Sequence, residues 1–149
     1  MLTIRFATKE DVPFLYEMVK ELAAFELAPE QVLTTEQSMI ADGFGDAPLY
    51  KALIAEWEGE KAGMAIYYIA YSTWKGRMIF LDDLYIKPAY RRKKIASALL
   101  EKFLEIGKAE KCNLAKWQVL DWNTDAIALY KKYKCIFHSD WIDCKVFFL

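Results

Sequence analysis

Residues 81 to 97 concentrate the chemistry in this chain: Leu81-Asp82-Asp83-Leu84-Tyr85-Ile86-Lys87-Pro88-Ala89-Tyr90-Arg91-Arg92-Lys93-Lys94-Ile95-Ala96-Ser97. An apolar strand carries two adjacent aspartates, passes a proline, and enters a turn of four consecutive cations that opens a helix. Cations at a helix N-terminus face the positive end of the macrodipole, at ~0.3–1 kcal/mol per charge. Free backbone N–H groups at a helix start are themselves an anion site. Arg91, Arg92, Lys93 and Lys94 therefore suit a site for a multiply charged anion, the plain alternative being a solvated cationic turn. Asp82 and Asp83 are carboxylates of the kind that attract a cation and accept its proton, directly or through water. Neighbouring strand residues point to opposite faces, so the two are not expected to serve equally. Adjacent aspartates are also ordinary turn residues.

The surrounding elements follow from periodicity. Leu2, Ile4 and Phe6 alternate with polar residues as a first strand. Thr8 and Asp11 offer N-cap oxygens, Pro13 suits a first turn, and Val12, Leu15, Val19 and Leu22 mark an amphipathic helix to about Phe25, broken by Pro29. A short second helix is expected from near Thr34, with Gln37 as its capping-box partner, ending at Asp42-Gly43-Phe44-Gly45-Asp46. Lys51 to Trp57, Ala62 to Tyr71 and Met78 to Ile86 read as an antiparallel meander. Ile95, Leu99, Phe103 and Ile106 form a helical stripe, Leu114 to Leu120 a strand, Ala126 to Tyr133 a short helix, and Cys135 to His138 with Cys144 to Leu149 a final hairpin. The order β-α-α-β-β-β-α-β-α-β-β describes one α+β domain over 1–149, with a mixed, mostly antiparallel central sheet flanked by helices.

Composition narrows the class. The 149 residues are 55% hydrophobic and 15% aromatic, with 20 basic and 21 acidic side chains. Such a chain can bury a substantial core, and its aromatic excess leaves surface for a ligand or a subunit contact. Nucleic acid is not an expected partner, because the charge is balanced rather than basic. Ala62 to Ala70, among the longest apolar runs, falls short of the ~18 residues a membrane span requires. The first residues lack a signal-peptide layout, so a cytoplasmic location is expected. Cys112, Cys135 and Cys144 have neither metal nor redox spacing. His138 is the single histidine, so a metal site is not expected, and it has no partner pattern for nucleophilic catalysis.

Strand, proline, Tyr90-Arg91, then Ile95-Ala96-Ser97 opening a helix resembles the pyrophosphate-binding motif of the GCN5-related N-acetyltransferases, Arg/Gln-x-x-Gly-x-Gly/Ala, with Arg91 and Ala96 at its first and last positions. The likeness is greatest to the diamine (spermidine/spermine) acetyltransferases. It extends through Lys20-Glu21-Leu22-Ala23, Phe25-Glu26, Glu30-Gln31-Val32, Asp42-Gly43-Phe44-Gly45, Tyr67-Tyr68, Trp74, Asp83, Trp122-Asn123 and Tyr130-Lys131. The motif's inner glycine is Lys94 here, and a glycine common after the Tyr130 helix is Lys134. If residue 94 must be left-handed, a lysine there costs ~1–2 kcal/mol.

The resemblance implies an enzyme that moves the acetyl group of acetyl-CoA to a primary amine of a polyamine or a lysine-like acceptor such as thialysine, in a ternary complex and as a homodimer. It implies that main-chain groups along Leu84, Tyr85 and Ile86 hold the pantetheine, that Arg91, Arg92, Lys93, Lys94, Ile95, Ala96 and Ser97 hold the pyrophosphate, and that Asn123, Ala126 and Tyr130 complete the cofactor side. Tyr130 is the implied acid, its neutral phenol stabilising the departing thiolate by a hydrogen bond; taken alone it reads as a tyrosine packing beside Tyr133. Asp82, which corresponds to a glutamate in the diamine enzymes, is the implied base. Phe25, Glu26, Trp74, Asp82 and Asp83 are the implied acceptor contacts, carboxylates and aromatic walls suiting a chain of cations. The alternative is a degenerate member that binds CoA weakly or not at all and serves as a sensor or assembly module.

Overall fold

The computed structural model describes residues 1–148. It divides into two compact units, Met1–Gln118 and Val119–Leu149.

The first unit is built on a five-stranded sheet of β1 (Leu2–Phe6), β2 (Lys51–Trp57), β3 (Glu60–Ser72), β4 (Gly76–Ile86) and β5 (Leu114–Trp117) in sequential order. Every pair is antiparallel except β4 with β5, which run parallel across α3 (Ile95–Ala109). The expected meander of three antiparallel strands is present, with each strand ending within two residues of its sequence-derived bounds.

One face of the sheet is covered by α1 (Val12–Phe25) and α2 (Glu36–Phe44). Val12, Leu15, Met18 and Met39 pack there with Ala52, Ile54, Met64, Ile66 and Tyr85. α3 covers the other face, where Phe103 meets Tyr67 and Trp117 edge to face. Gly107 lets the helix approach closely, since a Cβ there would stand 2.8 Å from Ile79 Cγ2. Asp11, only 3% exposed, anchors the start of α1: it accepts from Arg5 at 2.8 and 3.0 Å, Lys61 at 2.9 Å and the Thr8 amide at 2.7 Å.

Two local expectations shift. The N-cap of α2 is Thr35 rather than Thr34, with Ser38 closing the box instead of Gln37. Thr35 Oγ1 accepts from the Ser38 amide at 3.0 Å and Ser38 Oγ from the Thr35 amide at 2.9 Å. A hydroxyl one carbon from the backbone reaches its partner amide without the rotamer loss of a longer amide side chain. α2 also runs through Gly43, over which the Tyr50 ring lies so close that a Cβ would clash at 2.3 Å.

The second unit contains α4 (Thr124–Lys131), two residues earlier at each end than its periodicity suggested because Asn123 supplies the cap. The expected final hairpin is absent among the described residues: 134–148 form no strand. Cys135 to His138 and Cys144 to Phe148 fall within that span, and Leu149 lies outside the described residues. Apolar side chains such as Ile136, Trp141, Ile142 and Phe148 are exposed there. The stretch carries strand-type residues, but His138 to Asp143 lacks the Gly, Asn-Gly or Asp-Gly that a tight hairpin turn requires.

Candidate active site

β3 and β4 are in register from Ser72↔Gly76 down to Tyr67↔Leu81, and again from Ile66↔Asp83 to Gly63↔Ile86. Asp82 is thus the extra residue of a β-bulge. Residues paired across a ladder share a face. Ile79 lies under Gly107 of α3, and Leu81 shares that side. Beyond the bulge the alternation restarts one place later, so Leu84 and Ile86 take the α3 side while Asp83, opposite Ile66, and Tyr85 take the side covered by α1. The bulge therefore overrides the simple expectation that Asp82 and Asp83 point to opposite faces. A bulge commonly re-aims a side chain in this way.

Glu26, immediately after α1, joins the two aspartates electrostatically. Burial, then repulsion from Asp82 and Glu26, pushes the Asp83 carboxyl up to about 7. Burial raises Asp82, and burial followed by Asp82 raises Glu26. Asp82 also raises the Tyr68 phenol, after burial. Three carboxylates that resist ionising together form a field that a cation relieves. Asp83 is half-buried and Asp82 exposed, so the more strongly perturbed group is the one with less water.

The parallel ladder between β4 and β5 stops at Leu81↔Trp117, whereas β4 continues to Ile86. Beyond Leu81 the β5 side of β4 is, among the described residues, an unpaired strand edge, from Asp82 through Leu84, Tyr85 and Ile86. It leads into the cationic turn. Arg92 and Lys94 both have positive φ, 63° and 61°. Lys94 is the N-cap of α3 and gives no side-chain hydrogen bond. The first bond of the helix runs from the Ala98 amide to the Lys94 carbonyl at 3.1 Å, leaving the Ile95, Ala96 and Ser97 amides without an acceptor among the described residues. Left-handed residues before an uncapped helix start aim successive N–H groups into a shared concavity for an anion. Side chains of the turn divide their work. Lys93 Nζ lies 5.0 Å over the Trp57 ring, and Arg91 Nε donates to the Ile86 carbonyl at 3.2 Å.

Trp74 stands apart from this cluster. It is 83% exposed at the β3–β4 turn, about eight strand residues or roughly 25 Å from Asp82. Phe25 lies beside Arg91 at the end of α1. In the second unit, Asn123 Oδ1 accepts from the Ala126 amide at 3.3 Å and so caps α4. Tyr130 is 8% exposed, and its carbonyl receives the Cys135 thiol at 3.1 Å. Lys134, just past α4, has φ 58°, the left-handed conformation expected of the glycine it replaces. A separate cavity of about 480 Å³, lined by Tyr16, Glu17, Lys20, Thr35, Glu36 and Gln37, contains none of the expected site residues. Residue types gave no signal for the bulge, for left-handed Arg92, or for the bond from Tyr85 Oη to Glu21 at 3.3 Å.

The sequence model of the acetyltransferase (GNAT) family matches residues 15–134, which span both units. The chain belongs to the GNAT acetyltransferase family. Among curated GNAT relatives it is 40% identical over 136 residues to the thialysine N-epsilon-acetyltransferase of Bos taurus, covering 86% of this chain and 80% of that protein. It is 34% identical to the human spermidine/spermine N(1)-acetyltransferase-like protein 1, over 85% of this chain and 19% of that one. Among solved structures, the aminoglycoside acetyltransferase HMB0005 superposes with a TM-score of 0.79 at 22% identity, covering 98% of this chain and 99% of that one. The aminoglycoside N-acetyltransferase AAC(6')-Iy, solved in complex with CoA, gives 0.78 at 18% identity, over 98% and 95%. At these identities the likeness establishes the GNAT fold and carries no substrate.

Proposed function

We propose that this GNAT enzyme transfers the acetyl group of acetyl-CoA to a primary amine of a small lysine-like or polyamine acceptor. The observation that carries the acceptor class is the carboxylate cluster of Glu26, Asp82 and Asp83 at the bulge of β4. The curated relatives named for thialysine and for spermidine/spermine support the same class.

Acetyl-CoA, when bound, supplies a thioester as the acetyl donor. The donor set fits its phosphates: free amides of Ile95, Ala96 and Ser97 beside Arg92 and Lys94, both already left-handed despite their Cβ atoms. The unpaired edge of β4 at Leu84, Tyr85 and Ile86 offers main-chain groups of the kind that hold an amide-bearing arm. An alkylammonium near pKa ~10.4 must lose a proton before it attacks. Glu26 and Asp82 draw the cation in, and Asp83, titrating near 7, takes the proton at neutral pH. Asp83 replaces Asp82 as the leading base in this reading, because the bulge turns it towards the face that α1 and Glu26 cover. Tyr130 retains the proposed role of hydrogen-bond donor to the departing thiolate, and Asn123 and Ala126 that of the cofactor side. The proposal also covers a cytoplasmic homodimer; exposed Tyr71 and Trp74 are apolar surface of the kind a subunit contact covers. Among the described residues no helix is long and apolar enough to cross a membrane.

Thiol release from acetyl-CoA, measured against thialysine, spermidine, lysine and a monoamine, tests the reading. Turnover with thialysine or spermidine well above the monoamine supports it, with Tyr130→Phe lowering kcat ~10²-fold or more. Calorimetry that detects no acetyl-CoA binding at high micromolar concentration refutes it in favour of the non-catalytic module.

A further inference from the structure

Arg91 opens the phosphate turn, yet its side chain is directed elsewhere. Nε donates to the Ile86 carbonyl at 3.2 Å, and the guanidinium lies 5.6 Å from the Phe25 ring centre and 5.5 Å from that of Tyr85. Tyr85 Oη in turn donates to Glu21 at 3.3 Å. One planar cation thereby ties three segments: the last turn of α1, the end of β4, and the first residue of the turn whose amides are free. Besides Arg91, the elements that carry Phe25 and Tyr85 are joined by apolar packing and by that one hydrogen bond from Tyr85 to Glu21. The residue after Phe25 is Glu26, a member of the carboxylate cluster.

We propose that Arg91 is a positioning residue that couples the phosphate turn to the acceptor wall, holding the Phe25-Glu26 end of α1 against β4 when the turn is ordered by an anion. This rests on the acetyl-transfer reading for the identity of the two ligands, but the strap itself is a property of the folded chain. Arg suits the role where Lys does not, because a flat guanidinium stacks on two rings while its edge donates to a carbonyl, and an ammonium is a point charge. Coupling of this kind is reciprocal: CoA tightens amine binding by the factor by which amine tightens CoA. Severing the strap removes that factor while leaving the free amides of the turn in place.

The test compares wild type with Arg91→Lys, Phe25→Leu and the double variant. Hydrogen exchange of the amides of residues 22–27, in the ligand-free protein, reads the strap directly. Both single variants are expected to speed it by about 5–20-fold, and the double variant no further, since both cut one contact. With thialysine and spermidine as acceptors, Arg91→Lys raises KM for the amine by about 5–20-fold, a larger change than that in the affinity for CoA. Calorimetry of the amine with and without saturating CoA shows the enhancement by CoA reduced towards unity. Unchanged exchange in Arg91→Lys, or a loss confined to CoA affinity with the amine KM untouched, overturns the proposal and makes Arg91 a plain phosphate contact. A wild-type protein that binds no CoA refutes the acetyl-transfer reading instead, and exchange in residues 22–27 still decides whether the strap exists.

Discussion

Asp83→Asn should make the protein more stable at alkaline pH and only slightly more stable in mild acid. The Asp83 carboxyl stands at about 7 against an ordinary 3.8. The folded state therefore holds this proton more tightly than the unfolded chain does. Its favourable contribution is complete below about pH 4 and is lost as pH rises through 7, where the charge is forced into a half-buried place beside Glu26 and Asp82. A gap of about three pH units at 1.36 kcal/mol each gives roughly 4 kcal/mol, and partial solvent contact brings the expected effect to about 2 kcal/mol. With a urea slope near 1.5–2 kcal/mol/M for a chain of this size, the midpoint of Asp83→Asn should exceed that of wild type by ~1 M at pH 8 and by only about a quarter of that at pH 4.5. Tryptophan fluorescence in urea at the two pH values measures both. The same variant should lose the rise of kcat/KM through pH 7 that wild type is expected to show. A midpoint difference that is the same at pH 4.5 and 8 would refute the electrostatic account of the cluster.

Two further outcomes follow from other parts of the fold. Lys94→Gly relieves ~1–2 kcal/mol of left-handed strain and gives back ~0.5–1 in unfolded-chain entropy, so thermal melting should rise by ~1–3 °C, and a fall would show that the Lys94 side chain is held by contacts of its own. Asp11→Asn leaves Arg5 and Lys61 without their carboxylate and should lose ~3 kcal/mol in guanidinium melts at pH 7. Because Arg5 first, with Thr8 and Lys61, holds this carboxyl well below the usual range, its contribution is complete above about pH 4, and the gap between variant and wild type should narrow as pH falls below that.

The parts of this protein that were legible in its sequence are those governed by short-range periodicity and by chemistry at one position. The apolar stripe from Val12 to Leu22 gave α1, and the β-rich runs divided at Glu58-Gly59 and Lys75-Gly76 gave the meander. The lysine at the family's inner glycine position raised the question of left-handed backbone at 94, and Lys94 is left-handed, as is Lys134. What resisted reading depends on partners distant in the chain. The bulge at Asp82 exists because β4 must satisfy two different stretches of β3, and no residue type near 82 declares it. Arg91 read as a phosphate ligand from its motif, but its surroundings include Phe25 and Tyr85, which the fold brings from elsewhere. The last fifteen or so residues misled in the opposite sense: their β-forming side chains are real, but side chains alone make no ladder.

The bulge has one more consequence, for what changes in length β4 can tolerate. The strand is two half-strands of opposite parity joined at a single inserted position, one phased to α3 through Ile79 and Leu81, the other to α1 through Asp83 and Tyr85. Straightening the bulge with Asp82 retained would carry the pleat on unbroken and invert the second half-strand as a block: Tyr85 would leave the α1 core, Ile86 would enter it, and Asp83 would face α3. Removing Asp82 itself would instead leave Asp83 and Tyr85 facing α1, so the one place where β4 can shorten by a residue without repacking is a position that carries an acceptor carboxylate.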